Sequence, residues 1–254
     1  MTDTAFYPLP DGRRIAYRFT PGAGDGPVVV FLPGYRSDMS GGKATALFDH
    51  ALAQGLACLL LDYSGCGESS GDFAEGTLSR WRDEVAALVA ALCPGRPLVL
   101  VGSSMGGWLM LLVALALPRE VVGLVGVAAA PDFTDWGFDA SQQALLTTGE
   151  TLFEPNDYGP EPTPTHPRFW RDGQANRLLG APIGFAGPVH LLHGQQDTVV
   201  PWELALRLSA ALRSDRVQVT LIKDGDHRLS READIDLLVR TVEQVRRAAI
   251  ASAD

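Results

Sequence analysis

Pro97-Leu98-Val99-Leu100-Val101-Gly102-Ser103-Ser104-Met105-Gly106-Gly107-Trp108 runs from an unbroken apolar stretch into a serine set between glycines, and on into a second apolar stretch. The first five residues have the length and branching of a buried strand. Met105 to Leu117 is apolar nearly all round, the pattern of a buried helix. Between them, Gly102 to Gly106 fits G-x-S-x-G. A serine on a sharp strand-to-helix turn has a strained backbone and neighbouring chain pressed close, so small residues stand two positions to either side. Its hydroxyl then projects above the sheet, and the helix N-terminus favours developing negative charge. Ser104 is the candidate nucleophile, and Ser103 is out of frame. A second copy, Gly67-Glu68-Ser69-Ser70-Gly71, is followed by the polar stretch Asp72 to Gly76, with no helix starting at Ser70. Ser69 therefore reads as a loop residue.

On either side of this turn, apolar runs alternate with amphipathic stretches. Pro27 to Leu32 (PVVVFL) and Leu56 to Leu61 (LACLLL) predict strands, and Lys43 to Gln54 and Thr77 to Cys93 predict helices. Strand Val121 to Ala130 follows. After a break come strand Val189 to Leu192, helix Trp202 to Leu212, strand Val217 to Ile222 and helix Arg231 to Ile250. The pattern predicts an α/β chain with a mostly parallel central sheet of about eight strands and helices on both faces. The break, Pro131 to Pro188, holds Pro155, Pro160, Pro162, Pro164 and Pro167, and the aromatic residues Phe133, Trp136, Phe138, Phe153, Phe169 and Trp170. A structureless loop of that length is rare inside a compact domain. The expectation is one domain over residues 1–254, with residues 131–188 as an inserted helical cap over Ser104. Trp136 and Trp170 are candidate substrate-binding residues within it.

A serine hydroxyl is a weak nucleophile until a base takes its proton. Of the five histidines, His50 falls on a helix, His166 in the Pro-rich segment, and His190 and His193 in or at the end of a strand. His227 follows the strand Val217 to Ile222 in a loop at the carboxyl edge of the sheet, where open α/β folds bind ligands. It is the candidate base. Asp197, in the loop after the preceding strand, is the candidate acid that fixes the histidine tautomer. Asp132 and Asp226 are rivals for that role. His193, beside Gly194, reads as a hydrogen-bonded loop residue. The backbone N–H groups of Met105 and Tyr35 are candidates for an oxyanion hole, with Gly34 letting the chain turn and the Tyr35 ring lining the substrate pocket. The order nucleophile, acid, histidine is that of α/β-hydrolases.

Composition narrows the partners. Of the 254 residues, 46% are hydrophobic and 20% charged, which supports a sizeable core. A net charge of -9 repels phosphate backbones and anionic headgroups, so neither nucleic acid nor a membrane surface is expected. Cys58, Cys66 and Cys93 are odd in number and form no C-x-x-C pair, which predicts neither a disulfide framework nor a zinc site. Cys66 reads as a small buried thiol rather than a nucleophile. Trp108 to Leu117 is too short to span a bilayer. The first residues lack a basic region followed by an apolar one, and the chain is expected to be cytoplasmic. No Walker loop is present and Gly65-Cys66-Gly67 lacks the rest of a dinucleotide fingerprint, so no cofactor and no metal are expected.

Leu32-Pro33-Gly34-Tyr35, Asp62-Tyr63-Ser64-Gly65, Trp81-Arg82, Val101 through Met110, Leu191-Leu192-His193-Gly194, Val200-Pro201-Trp202, Asp226-His227-Arg228 and Ala233-Asp234-Ile235 together resemble one family. It is the α/β-hydrolase domain-containing protein ten family of acyl-glucuronide esterases and palmitoyl-protein thioesterases of mitochondria. The resemblance spans most of the chain outside the cap, and VGSSMGGWLM is far more specific than the bare pentapeptide. It implies the α/β-hydrolase fold and places Ser104, Asp197 and His227 at the family's triad positions. The chain departs from it in its Pro-rich cap and in Cys66, where a small or aliphatic residue is expected, and it is expected to carry no mitochondrial presequence. The expected function is hydrolysis of a small-molecule acyl ester or thioester through an acyl-enzyme, by a monomer or small homo-oligomer. An acyltransferase or a peptidase would use the same triad.

Overall fold

The computed structural model describes residues 3–155 and 160–251; the other residues of the expected 1–254 domain lie outside it. The chain opens with an antiparallel hairpin, β1 (Ala5–Pro8) and β2 (Arg14–Pro21). Then come β3 (Val28–Leu32), α1 (Gly42–Gln54), β4 (Ala57–Leu61), α2 (Leu78–Leu92), β5 (Leu98–Ser103), α3 (Met105–Ala116) and β6 (Val121–Val127). The stretch 131–188 carries α4 (Phe133–Trp136), α5 (Ala140–Thr148), an antiparallel pair β7 (Leu152–Glu154) and β8 (Thr163–Thr165), and α6 (Pro167–Ala175). β9 (Val189–Gly194), α7 (Glu203–Ala211), β10 (Val217–Ile222) and α8 (Glu232–Ile250) follow. Eight strands form one sheet in the order β1-β2-β4-β3-β5-β6-β9-β10. All pairings from β4 across to β10 are parallel.

Strand side chains alternate between faces, and here both faces are buried. Val28, Val30, Leu32, Leu59, Leu61, Leu98 and Leu100 pack with Trp81 and Val85 of α2, Trp108 and Met110 of α3 and Leu208 of α7. Their neighbours Val29, Phe31, Cys58, Leu60, Val99 and Val101 pack on the other face with Ala44 and Phe48 of α1 and Leu238, Val242 and Val245 of α8. This two-sided covering is why the strands read as continuous apolar runs. Every residue of α3 from Met105 to Ala114 is buried, which accounts for a helix apolar all round.

The strand predicted over residues 121–130 stops at Val127. Ala128 takes φ 45°, and its N–H donates to Leu192 O at 2.8 Å, so the chain turns off the sheet there. Ala128, Ala129 and Ala130 stay buried and extend the apolar run past the strand's end.

Candidate active site

Ser104 links β5 to α3 with φ 54° and ψ -120°. Positive φ is strained for a residue with a Cβ. The surroundings enforce it: the Ser104 N–H donates to Val127 O at 2.9 Å, and Ser104 O accepts from Gly107 N at 2.8 Å and Ala130 N at 3.0 Å. Gly106 is where α3 meets the end of β3. A Cβ there would lie 2.1 Å from Leu32 O and 2.5 Å from Pro33 O. The loop after β3 consequently passes beside the serine, and a Cβ on Gly34 would meet Ser104 Cβ at 3.5 Å. Tyr35 comes next. Among the described residues, neither the Tyr35 nor the Met105 N–H is taken up by a backbone acceptor. The Tyr35 hydroxyl donates to Pro164 O at 3.0 Å, and its ring packs on Phe73, Phe133 and Phe169. Burial raises the pKa of that hydroxyl well above the ordinary tyrosine range.

β9 and β10 are parallel neighbours, so the loops after them leave the same edge of the sheet as Ser104. The two loops touch. A Cβ on Gly194 would stand 2.2 Å from Gly225 O, while Gln195 N donates to Ile222 O and Gln196 N to Gly225 O, both at 2.8 Å. This contact brings Asp197 and His227 together, with His227 Nδ1 2.8 Å from Asp197 Oδ2. The Asp197 side chain has no exposed surface. Its Oδ1 accepts from the N–H groups of Val199 and Val200, each at 2.8 Å. Burial pushes the carboxyl pKa up; bonds from His193, His227 and the Val200 N–H, with the His227 charge, outweigh it and hold the group well below the usual carboxylate range. An ionised carboxylate only accepts, so the His227 nitrogen facing it, Nδ1, carries a hydrogen.

One contact goes beyond the sequence reading. His193 Nε2 lies 3.2 Å from Asp197 Oδ2 and 3.1 Å from Val200 O. The only trace of this in the sequence is a histidine four residues before the acid.

The other candidates make the following contacts. Ser69 Oγ accepts from Ala16 N at 2.8 Å and donates to Asp62 O at 2.7 Å, tying β2 to the loop after β4. Asp132 accepts from the N–H groups of Leu178 and Leu179 at 2.8 Å each, and Asp226 accepts from Leu229 N at 2.9 Å. His190 pairs with Thr220, His166 with Thr151, and His50 lies 3.9 Å from Glu243. Trp136 donates from Nε1 to Pro131 O at 2.8 Å and lines an open cleft of about 510 Å³ together with Asp197, Val199 and Trp202. Trp170 donates to Thr134 O at 3.1 Å and so joins α6 to α4. Among the described residues, no group of three or more His, Cys, Asp or Glu is placed to hold a metal ion. None of the described helices is long and apolar enough to cross a membrane.

The model of the alpha/beta hydrolase family matches residues 29–242. The human protein "Palmitoyl-protein thioesterase ABHD10, mitochondrial" is 38% identical over 248 residues, covering 96% of this chain and 80% of that protein. The mouse protein of the same name is 39% identical over 227 residues, covering 87% and 76%. The solved structure of alpha/beta hydrolase domain-containing protein 10 from mouse superposes with a TM-score of 0.87 at 35% identity, covering 96% of this chain and 98% of that one. These relatives overturn the expectation of a cytoplasmic chain, because the human and mouse proteins are named mitochondrial. The physical reason is that targeting segments are separate from the folded domain, so the domain's own composition carries no mark of its compartment.

Proposed function

Because this chain belongs to the alpha/beta hydrolase family, we propose that it is a serine hydrolase that cleaves carboxylic esters or thioesters through an acyl-enzyme. The observation that carries this reading is the 2.8 Å contact between His227 Nδ1 and the buried Asp197, at the sheet edge where Ser104 stands in a strained turn. In this reading His227 Nε2 takes the proton of Ser104 Oγ as that oxygen attacks the acyl carbon. The N–H groups of Tyr35 and Met105 receive the oxyanion. His227 passes the proton to the departing alcohol or thiol, then activates the water that frees the acid and restores Ser104. Asp197 holds the imidazole in position and stabilises its charged form. Residues 131–188 act as a cap over the serine, with Tyr35 and Trp136 facing the substrate and Trp170 steadying α6. The palmitoyl-protein thioesterase names of the relatives make a long-chain acyl thioester the first substrate to try.

The test is labelling with a fluorophosphonate probe alongside hydrolysis of p-nitrophenyl and acyl thioester substrates. Wild type should react in both assays. Ser104→Ala should lose both, since removing a nucleophile costs on the order of a millionfold in a triad enzyme. Ser69→Ala should keep both and lose only stability. A wild-type protein inert to probe and substrates would overturn the reading, and a dead Ser69→Ala beside an active Ser104→Ala would overturn the choice of nucleophile.

A further inference from the structure

We propose that His193 is a positioning residue for the acid: its Nε2–H, shared between Val200 O and Asp197 Oδ2, fixes the carboxylate in the pose that orients His227. The inference rests on the triad reading above. His193 sits in β9, its side chain 1% exposed, 3.1 Å from the carbonyl and 3.2 Å from the carboxylate oxygen. Both neighbours are acceptors, so Nε2 carries a hydrogen; its bond runs to Val200 O, and Asp197 Oδ2 stands 3.2 Å from the same nitrogen.

The contact closes a ring of bonds around the acid. Asp197 Oδ1 takes the Val200 N–H, and the carbonyl of the same Val200 faces His193, whose nitrogen returns to Asp197 Oδ2. With Val199 N and His227 Nδ1, four N–H groups stand within 3.2 Å of one carboxylate, three of them in hydrogen bonds to it. A carboxylate offers roughly four lone-pair sites, so this one is nearly saturated. The terminal torsion of aspartate is intrinsically broad, and donors on both oxygens are what narrow it. Without His193, Oδ2 keeps His227 as its only donor of the four. The carboxylate can then rock, and the imidazole moves with it relative to Ser104. Misplacement of about 1 Å costs on the order of 100-fold in rate.

The experiment compares His193→Leu, which removes the donor, with His193→Gln, whose side-chain N–H reaches a similar point. The readouts are kcat and KM on a p-nitrophenyl ester, the rate of fluorophosphonate labelling, thermal stability, and the low-field proton resonance of the His227 Nδ1–H. His193→Leu should lose on the order of 100-fold in kcat with KM little changed. Its low-field resonance should move or broaden, and His193→Gln should recover most of the rate. If His193→Leu fails to fold, His193→Asn replaces it: it is polar but too short to reach the carboxylate, and should be slow where His193→Gln is fast. Equal losses in the variants that do and do not reach Asp197, or wild-type kcat with an unmoved resonance in His193→Leu, would overturn the proposal. A wild-type protein that never labels would instead bring down the hydrolase reading and this inference with it.

Discussion

A carboxylate with no exposed surface stays ionised only when donors replace its water, and around Asp197 these are Val199 N, Val200 N, His193 and His227. Asp197→Asn should cut kcat by on the order of ten-thousandfold, because an amide allows the wrong tautomer of His227. Asp132→Asn should leave kcat nearly unchanged. It turns an NH₂ group toward one of the two N–H groups now bonded to Asp132, costing about 1–3 kcal/mol of stability. The Asp197 carboxyl is depressed in the folded state, so its ionisation contributes stability above the ordinary value of 3.8, which is lost as pH falls below that range. In acid titrations followed by circular dichroism, Asp197→Asn should therefore lose stability less steeply than wild type below about pH 4; parallel curves would contradict this. Ser104, Asp197 and His227 were legible as candidates because each follows a strand that the sequence marks plainly. The ring of His193 was not, since a spacing of four across a turn does not say which way a side chain points. Ser69 shows the converse: the five-letter pattern matches, yet its hydroxyl is occupied in joining two pieces of backbone.

The strands and helices from β3 onward were legible because parallel strands covered on both faces are written as unbroken apolar runs. The hairpin β1–β2 was not. It lies at the antiparallel edge of the sheet, where Arg14 and Arg18 interleave with Ile15, Ala16 and Tyr17, and the Arg18 guanidinium sits 4.6 Å over the Phe48 ring. β7 and β8 are three residues each, with Pro164 inside one of them, too short and too Pro-rich to show as strands. The two tryptophans of the 131–188 stretch differ in place. Trp136 lines a cleft with Asp197, Val199 and Trp202 whose walls include neither Ser104 nor His227, whereas Trp170 bonds α6 to α4. If acyl chains extend into that cleft, Trp136→Ala should shift the preferred acyl length in a series of p-nitrophenyl esters from acetyl to palmitoyl, where each buried methylene is worth about 0.8 kcal/mol. Trp170→Ala should keep the wild-type profile and lower the melting temperature. An unchanged profile in Trp136→Ala would remove that residue from the substrate site.

Across the whole molecule, the apolar fraction read from the sequence becomes two cores, one on each face of the sheet, and the three cysteines sink into them. Burial pushes the thiols of Cys58 and Cys66 up to about 12 and that of Cys93 to about 11. Iodoacetamide at pH 8 should leave all three unmodified in the native protein and label all three in guanidinium, as mass spectrometry would show. Fast native labelling at Cys66 would mean that the loop after β4 opens. Asp132, after β6 on the same edge of the sheet, grips Leu178 and Leu179, residues 46 and 47 positions further along the chain. A drawstring of this kind fixes both ends of the intervening chain at its neck, and lengthening a closed loop costs only logarithmically. The purse can be enlarged or shrunk while its neck stays shut, provided the seams that rest on the frame are kept, with Phe133, Phe169 and Pro164 against Tyr35 and Asn176 O on Trp108, so a lineage, or a protein engineer, could vary its contents between fixed stitches.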